Sequence, residues 1–259
     1  MVSFMPPEAV LVGSYDYSLV GLSVLIAMLA SYAALDFGGR ILESTDHGRF
    51  AWLIGGAASM GMGIWAVHYI GMIAYSLPVP VVYDLPMVLW SLLAAIVAAS
   101  VALYVVSRND DVRLLSISLG GVVMGIGIAA THYIGMAAMR IPASLHFSLK
   151  LAFLSIVLGV VLSSGALQMN FYLRVKIKST TLRKLASALL MGAAIVVVHY
   201  TIMAGVTLTL RILELDSTCF VELSSIGIAG MGGVSLAILS LLMTFRGDGR
   251  FQDDHWNCN

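Results

Sequence analysis

Charged side chains are scarce in this chain of 259 residues. Only 11% of the residues are Asp, Glu, Lys or Arg, whereas about 25% are charged in an ordinary soluble domain. The 14 basic residues equal the 14 acidic ones, so no excess of positive charge points to a nucleic-acid partner. Cysteine is also scarce, and the only two, Cys219 and Cys258, stand far apart in the sequence. This spacing indicates neither a disulfide framework nor a thiolate zinc site.

Hydrophobic residues dominate instead, at 59% of the chain, and the mean hydropathy is +0.95. A bilayer core about 30 Å thick requires about 20 apolar residues in a helix. The predicted spans are 17–36, 51–76, 85–106, 114–139, 149–173, 185–210 and 221–245. The sequence therefore predicts an all-α membrane protein with seven transmembrane helices in the cell (inner or plasma) membrane, and argues against a soluble enzyme.

The positions of Lys and Arg predict the orientation of these spans. Eleven of the 14 basic residues follow spans one, three, five and seven, and three lie on the opposite side. The N-terminus is therefore expected outside and the C-terminus in the cytoplasm. The expected organisation is an outer segment at 1–11, a six-span domain at 12–210, a loop and seventh span at 211–245, and a cytoplasmic tail at 246–259.

One motif of 13 residues recurs in spans two, four and six, at 60–72, 124–136 and 191–203. Counted from its histidine, each copy has Met at −8, Gly at −7, Ile at −4, Tyr at +1 and Met at +4. The histidines are His68, His132 and His199, which are 64 and 67 residues apart. Because one repeat unit contains two spans, the three motif helices are predicted to be parallel, in three two-helix repeats.

Three histidines at a similar depth in the outer half of the membrane favour a shared site over three separate helix contacts, since ionisable residues in membranes tend to mark function. Imidazole and thioether ligands suit copper, especially Cu(I). The methionine at +4 shares the histidine face of its helix, so the candidate ligands are the histidines with Met72, Met136 and Met203. The tyrosines at +1 are candidates for hydrogen bonds that orient the ligands; they are Tyr69, Tyr133 and Tyr200. A deeper methionine layer, for which packing is the preferred interpretation, consists of Met60, Met124 and Met191.

The repeated His-Tyr pair with flanking methionines resembles the MHYT integral-membrane sensor domain, over residues 12–210. Residues 13–16 and 30–36 also resemble the first helix of that domain. The four-letter signature itself is altered, because Val67, Thr131 and Val198 precede the histidines. The resemblance implies a copper-binding membrane sensor of a diatomic gas such as O2, CO or NO.

The expected function is therefore signalling rather than catalysis. Because 14 residues follow Phe245, the signal is expected to pass to a separate cytoplasmic protein. Two alternatives stay open at this stage. One is a copper-handling protein for transport or storage, and the other is a redox protein with haem held by two of the histidines.

Overall fold

A computed structural model describes residues 10–108, 114–173, 179–210, 220–236 and 239 as a helix bundle. Six of the described helices are long and apolar enough to cross a membrane, which is consistent with the predicted helical, multi-pass membrane protein. These helices are α1 (Tyr17–Glu43), α2 (Asp46–Ala74), α3 (Leu85–Ser107), α4 (Leu114–Ala138), α5 (Leu149–Leu167) and α6 (Thr180–Met203). A π-helical segment, Gln168–Tyr172, continues α5.

A shorter apolar helix, α7 (Leu223–Leu236), lies within the seventh predicted span. Its glycines let it approach α2 closely: a Cβ on Gly230 would lie 3.0 Å from the Cβ of Ala66, and one on Gly227 would meet Ile73. The remainder of that span, apart from residue 239, and the predicted tail at 246–259 lie outside the described residues.

Short antiparallel strands, which the sequence analysis did not predict, occupy the connections before α1, α3, α5 and α7 and after α2, α4 and α6. The strands are β1 (Val10–Leu11), β2 (Ser14–Tyr15), β3 (Tyr75–Ser76), β4 (Val82–Asp84), β5 (Met139–Arg140), β6 (Ala143–Phe147), β7 (Val206–Leu210) and β8 (Phe220–Glu222). The pairs β2–β3, β4–β5 and β6–β7 each join the start of one helix to the end of the next. β1 adds to β7, and β8 adds to β4.

The six long helices form a ring, because each contacts its neighbours in the chain and α1 also contacts α6. The helices α2, α4 and α6 contact one another as well, so they form the inside of the ring. The motif glycines Gly61, Gly125 and Gly192 let each inner helix pack closely against an outer one, which is α3, α5 or α1, respectively. A Cβ on them would lie 2.6 Å from Ile96, 2.5 Å from Val160 and 3.1 Å from Met28, respectively. Small residues at these positions let the membrane helices approach closely.

The predicted spans differ most from the helices at the C-terminal ends of spans six and one. Span six was expected to continue to residue 210, but α6 ends at Met203 and Val206–Leu210 is strand β7. The alternation of Val, Leu and Thr in that stretch has the period of a strand. Span one was expected to end at Asp36, whereas α1 continues to Glu43 through Gly38. Gly38 serves packing rather than a turn, because a Cβ there would lie 2.9 Å from the ring of Phe171.

A polar cluster joins α1 to α6 near the end of α1. The buried carboxylate of Asp36 accepts a hydrogen bond from Arg40 Nε at 3.0 Å and pairs with Lys184 Nζ. Beside it, Arg183 donates to the backbone carbonyl of Asn170, and Asn170 Nδ2 donates to the carbonyl of Leu35 at 3.0 Å. These contacts satisfy charged and polar groups that would be costly to bury alone.

Candidate metal centre

The three motif histidines lie on the inner helices of the ring, close to the ends from which strands β3, β5 and β7 follow. His68 and His132 are each six residues before the end of their helices, and His199 is four residues before the end of α6. Their exposed fractions are only 3%, 2% and 3%. The structure therefore brings together at one level the three side chains that the repeat singled out.

The imidazoles meet through their Nδ1 atoms. His132 Nδ1 lies 3.1 Å from His68 Nδ1 and 3.1 Å from His199 Nδ1. The ring centroids are 4.8 Å apart for His68 and His132, 5.0 Å for His132 and His199, and 5.4 Å for His68 and His199. One ligand atom from each histidine lies within 4.8 Å of the others, and this group of described residues contains no Asp, Glu or Cys.

Hydrogen bonds alone leave this cluster unsatisfied. A neutral imidazole carries one N–H and one ring nitrogen with a lone pair. His132 Nδ1 therefore offers either one proton or one lone pair, and it cannot form two linear hydrogen bonds at 3.1 Å. The three Nε2 atoms are buried with no hydrogen-bond partner among the described residues. A cation that accepts all three Nδ1 lone pairs would satisfy the Nδ1 atoms, with the proton of each neutral imidazole on Nε2, so the donor set fits a metal ion.

A small cavity adjoins the imidazoles on the side facing the N-terminal ends of the inner helices. The volume of the cavity is about 10 Å³, which suits about one molecule of the size of water. Its walls come from equivalent positions of the three motifs, at the histidine and at −1 and −4. They are His68, His132, His199, Val67, Thr131, Val198, Ile64, Ile128 and Ile195. Thr131 is the one polar residue besides histidine among these described walls, and its Oγ1 donates to the carbonyl of Gly127 at 2.9 Å.

The predicted methionines lie above and below this centre rather than in the cavity wall, since the described lining contains no methionine. Those at +4 are buried in an apolar cluster with Tyr69 and Leu208; they are Met72, Met136 and Met203. Those at −8 are fully buried in the main core of the ring; they are Met60, Met124 and Met191. The deeper layer thus lies within the packed core.

Each motif tyrosine packs edge-on against the histidine that precedes it. The centroid distances are 4.7 Å for Tyr69, 5.9 Å for Tyr133 and 4.7 Å for Tyr200. The hydroxyl of Tyr69 lies 3.3 Å from Ser91 Oγ and that of Tyr200 lies 3.0 Å from Ser23 Oγ. The hydroxyl of Tyr133 is buried without a partner in the described part of the chain. The tyrosines therefore contact the imidazoles through their rings.

Sequence reasoning missed the residues that shape the cavity. Ile64, Ile128 and Ile195 were visible as a shared offset, but nothing in one sequence shows that isoleucines at −4 converge. It also missed two glycines at +3, Gly71 and Gly135, against which imidazoles pack. Their signal was present, since both stand between the histidine and the +4 methionine.

Comparison with known proteins supports the motif analysis. The sequence model of the MHYT family, described as a bacterial signalling protein N terminal repeat, matches residues 61–118 and 125–183. Each match contains one motif histidine, His68 or His132, and the motif around His199 lies beyond them. No solved structure matches the chain.

Three signalling proteins resemble the chain over about three quarters of its length. The bifunctional diguanylate cyclase/cyclic di-GMP phosphodiesterase MucR of Pseudomonas aeruginosa is 43% identical over 195 residues, which are 75% of this chain and 28% of MucR. The cyclic di-GMP phosphodiesterase NbdA of the same organism is 39% identical over 198 residues, covering 76% of this chain and 25% of NbdA. The signaling protein YkoW of Bacillus subtilis is 36% identical over 198 residues, covering 75% and 24%. The chain thus spans about a quarter of the length of these curated relatives. On the spaced motifs, the two matched repeats and these relatives, the chain belongs to the MHYT family of membrane signalling proteins.

Proposed function

We propose that this chain is a membrane sensor whose input site is a copper ion held by His68, His132 and His199. One observation carries the proposal: three buried imidazoles on three different helices come together, and His132 Nδ1 lies 3.1 Å from the Nδ1 atoms of both His68 and His199. A set of neutral nitrogen donors suits copper, whereas hard cations such as Mg²⁺ prefer oxygen ligands. The signalling names of the relatives support the sensor role.

The proposed arrangement has seven spans in three parallel two-helix repeats followed by α7, in the inner or plasma membrane. The threefold pairing of strands β2–β3, β4–β5 and β6–β7 supports the repeats. The excess of Lys and Arg after odd-numbered spans supports a cytoplasmic C-terminus. In this orientation the histidines lie in the outer half of the membrane, and the Asp36 cluster lies towards the cytoplasm.

The residues of the site divide into ligands, walls and supports. When bound, copper supplies a redox-active centre with affinity for diatomic gases. The imidazoles hold the ion through Nδ1, and the tyrosines brace the rings. The thioethers of Met72, Met136 and Met203 are the candidates for additional soft ligands from the outer side. The cavity of about 10 Å³ beside the Nδ1 atoms is the proposed place for O2, CO or NO, because its isoleucine and valine walls exclude larger and charged molecules.

The proposed output is a cytoplasmic signalling protein rather than catalysis in the described helices. MucR and NbdA are named as cyclic di-GMP enzymes, and the chain matches about a quarter of each. Since the three ligands lie on three helices, a change in the preferred ligand geometry would move one inner helix against another. The inner helix α6 also contributes Lys184 to the Asp36 cluster. A movement of α6 would therefore reach the cytoplasmic side through that cluster.

The geometry favours the sensor over both alternatives. Haem between two of these imidazoles requires room for a macrocycle, and the cavity of about 10 Å³ does not provide it. Copper transport requires a path away from the site, whereas Met60, Met124 and Met191 are fully buried in the packed core of the ring. The sensor is therefore the better-supported function.

Metal content tests the proposal. The protein is purified after growth with copper and compared with His132→Ala, which removes the imidazole that contacts both others, and with His146→Ala as a matched control. His146 is exposed in strand β6. We expect near-stoichiometric copper in the native chain and in His146→Ala, and at least tenfold less in His132→Ala. Equal copper in all three proteins, or none in the native chain, would refute the site.

A further inference from the structure

Two glycines receive the outer edges of two motif imidazoles. A Cβ on Gly71 of α2 would lie 2.3 Å from His199 Nε2 and 2.9 Å from both His199 Cδ2 and Cε1. A Cβ on Gly135 of α4 would lie 2.3 Å from His68 Nε2 and 2.6 Å from His68 Cδ2. These separations are too short for carbon packed against a ring, so no residue larger than glycine fits without moving the imidazole.

The two contacts follow one rule around the inner helices. Gly71 is three residues after His68 and receives His199 of α6, while Gly135 is three residues after His132 and receives His68 of α2. The corresponding position three residues after His199 is Ile202, which is buried. At two of the three positions an imidazole therefore packs against backbone that has no side chain, and the third position carries a β-branched side chain.

We propose that Gly71 and Gly135 are positioning residues that fix His199 and His68 so that their Nδ1 atoms point to the centre. The two nitrogens of an imidazole point in different directions from one rigid ring. The backbone that contacts the ring at Nε2 therefore also determines where Nδ1 points. His132 lacks a glycine of this kind, and it is the imidazole whose Nδ1 lies 3.1 Å from both others. The two glycines therefore position the imidazoles of His199 and His68, and His132 contacts both of these imidazoles.

A purely structural role for glycine predicts a different dependence on histidine. If Gly135 served only the approach of α4 to another helix, a Cβ there would be costly whether or not His68 is present. If it receives the imidazole, removing that ring creates the space which the Cβ needs. The cost of Gly135→Ala would then disappear in a His68→Ala background, because the two sites are coupled.

The first test is a melting-temperature cycle on the metal-free full chain in detergent. Overpacking this contact destabilises the fold, so Gly135→Ala should lower the melting temperature by about 5 °C, and this loss should vanish when His68→Ala is also present. The matched control is Gly127→Ala on the same helix, where a Cβ would lie 2.2 Å from Ala98 Cβ on α3. Its loss should be the same with and without His68. An unchanged cost of Gly135→Ala in the His68→Ala background would overturn the proposal.

The second test counts ligands and rests on the proposed copper site. X-ray absorption of the copper-loaded protein should show three imidazole nitrogens in the native chain and in Gly127→Ala, but two in Gly135→Ala. Three in Gly135→Ala would overturn the proposal. If the native chain binds no copper, the proposed function fails while the melting cycle still decides the role of the glycines. If Gly135→Ala does not fold alone, folding of the double variant supports the proposal, and failure of both variants contradicts it.

Discussion

Replacing Asp36 by Asn tests whether the polar cluster between α1 and α6 holds the ring closed. The side chain of Asp36 is fully buried, and it pairs with Arg40 Nε at 3.0 Å and with Lys184 Nζ. Asn has nearly the same shape, so the substitution removes the negative charge without creating a cavity. Arg40 and Lys184 would then lose the carboxylate that they share, in a part of the protein where solvent reaches them only partly.

The expected loss follows from the exposure of the two cations. Removing one partner of a buried ion pair costs about 3–5 kcal/mol. The side chains of Arg40 and Lys184 are 17% and 22% exposed, so partial hydration places the loss near the lower end, at about 3 kcal/mol. For a chain of this size that corresponds to a fall of about 8 °C in melting temperature.

The matched control is Asp84→Asn. Asp84 pairs with Arg140 at 3.4 Å, with side chains 18% and 42% exposed. It also caps α3 by accepting from the N–H of Met87, and Asn keeps such a cap. A half-exposed pair is worth less than about 1 kcal/mol. Equal melting losses for the two variants, measured by thermal unfolding in nanodiscs, would refute the argument that the Asp36 pairs are held in a low-dielectric interior.

Three further predictions concern the site and its surroundings. Tyr200→Phe removes the 3.0 Å hydrogen bond to Ser23 Oγ and should destabilise the fold by about 1 kcal/mol in chemical unfolding. Thr131→Val keeps the size of the wall residue but removes its hydroxyl from the cavity, so CO affinity measured by infrared spectroscopy on the copper-loaded protein should change at least threefold if the gas contacts this wall. Ala66→Cys combined with Gly230→Cys, in a chain whose native cysteines are Ser, should form a disulfide under mild oxidation, because a Cβ at 230 would lie 3.0 Å from that of Ala66.

Each of these has a counterpart in the chain that should behave differently. Tyr133→Phe removes a buried hydroxyl that has no partner in the described residues, so it should be neutral or stabilising. Thr131→Ser keeps the hydroxyl and should keep the native CO affinity. Gly232→Cys paired with Ala66→Cys should not cross-link, because nothing lies within 4 Å of a Cβ at that position. A loss for Tyr133→Phe as large as for Tyr200→Phe, a shift with Thr131→Ser as large as with valine, or cross-linking at Gly232 would contradict the respective arguments.

The sequence predicted the helices and the histidine level well, for physical reasons. Long apolar runs of about 20 residues have few alternatives to a membrane helix, and six of them were found. A repeat with one histidine in each copy places His68, His132 and His199 at equivalent positions whatever the helix order. Their convergence required the ring contacts of α2, α4 and α6, which depend on pairs of residues that no single stretch of sequence displays.

The details that escaped prediction depend on close tertiary contacts. A helical wheel gave Met72, Met136 and Met203 the same face as the histidines. They lie one turn beyond the imidazoles, in an apolar cluster, whereas the cavity adjoins the opposite side of the imidazoles. The glycine pair Gly71 and Gly135 was visible in the motifs but had no meaning without the neighbouring imidazoles. The strands were missed because each has only two to five residues.

The closure of the ring between α1 and α6 has a consequence for how the chain is made. Val10 in β1 pairs with Thr209 in β7. The contacts that close the ring between α1 and α6 therefore form only after α6 has been translated and inserted. Until then Asp36 has no Lys184 to neutralise it. Arg40 lies one turn along the same helix and inserts together with the carboxylate, which gives Asp36 an ion-pair partner from the moment α1 leaves the translocon.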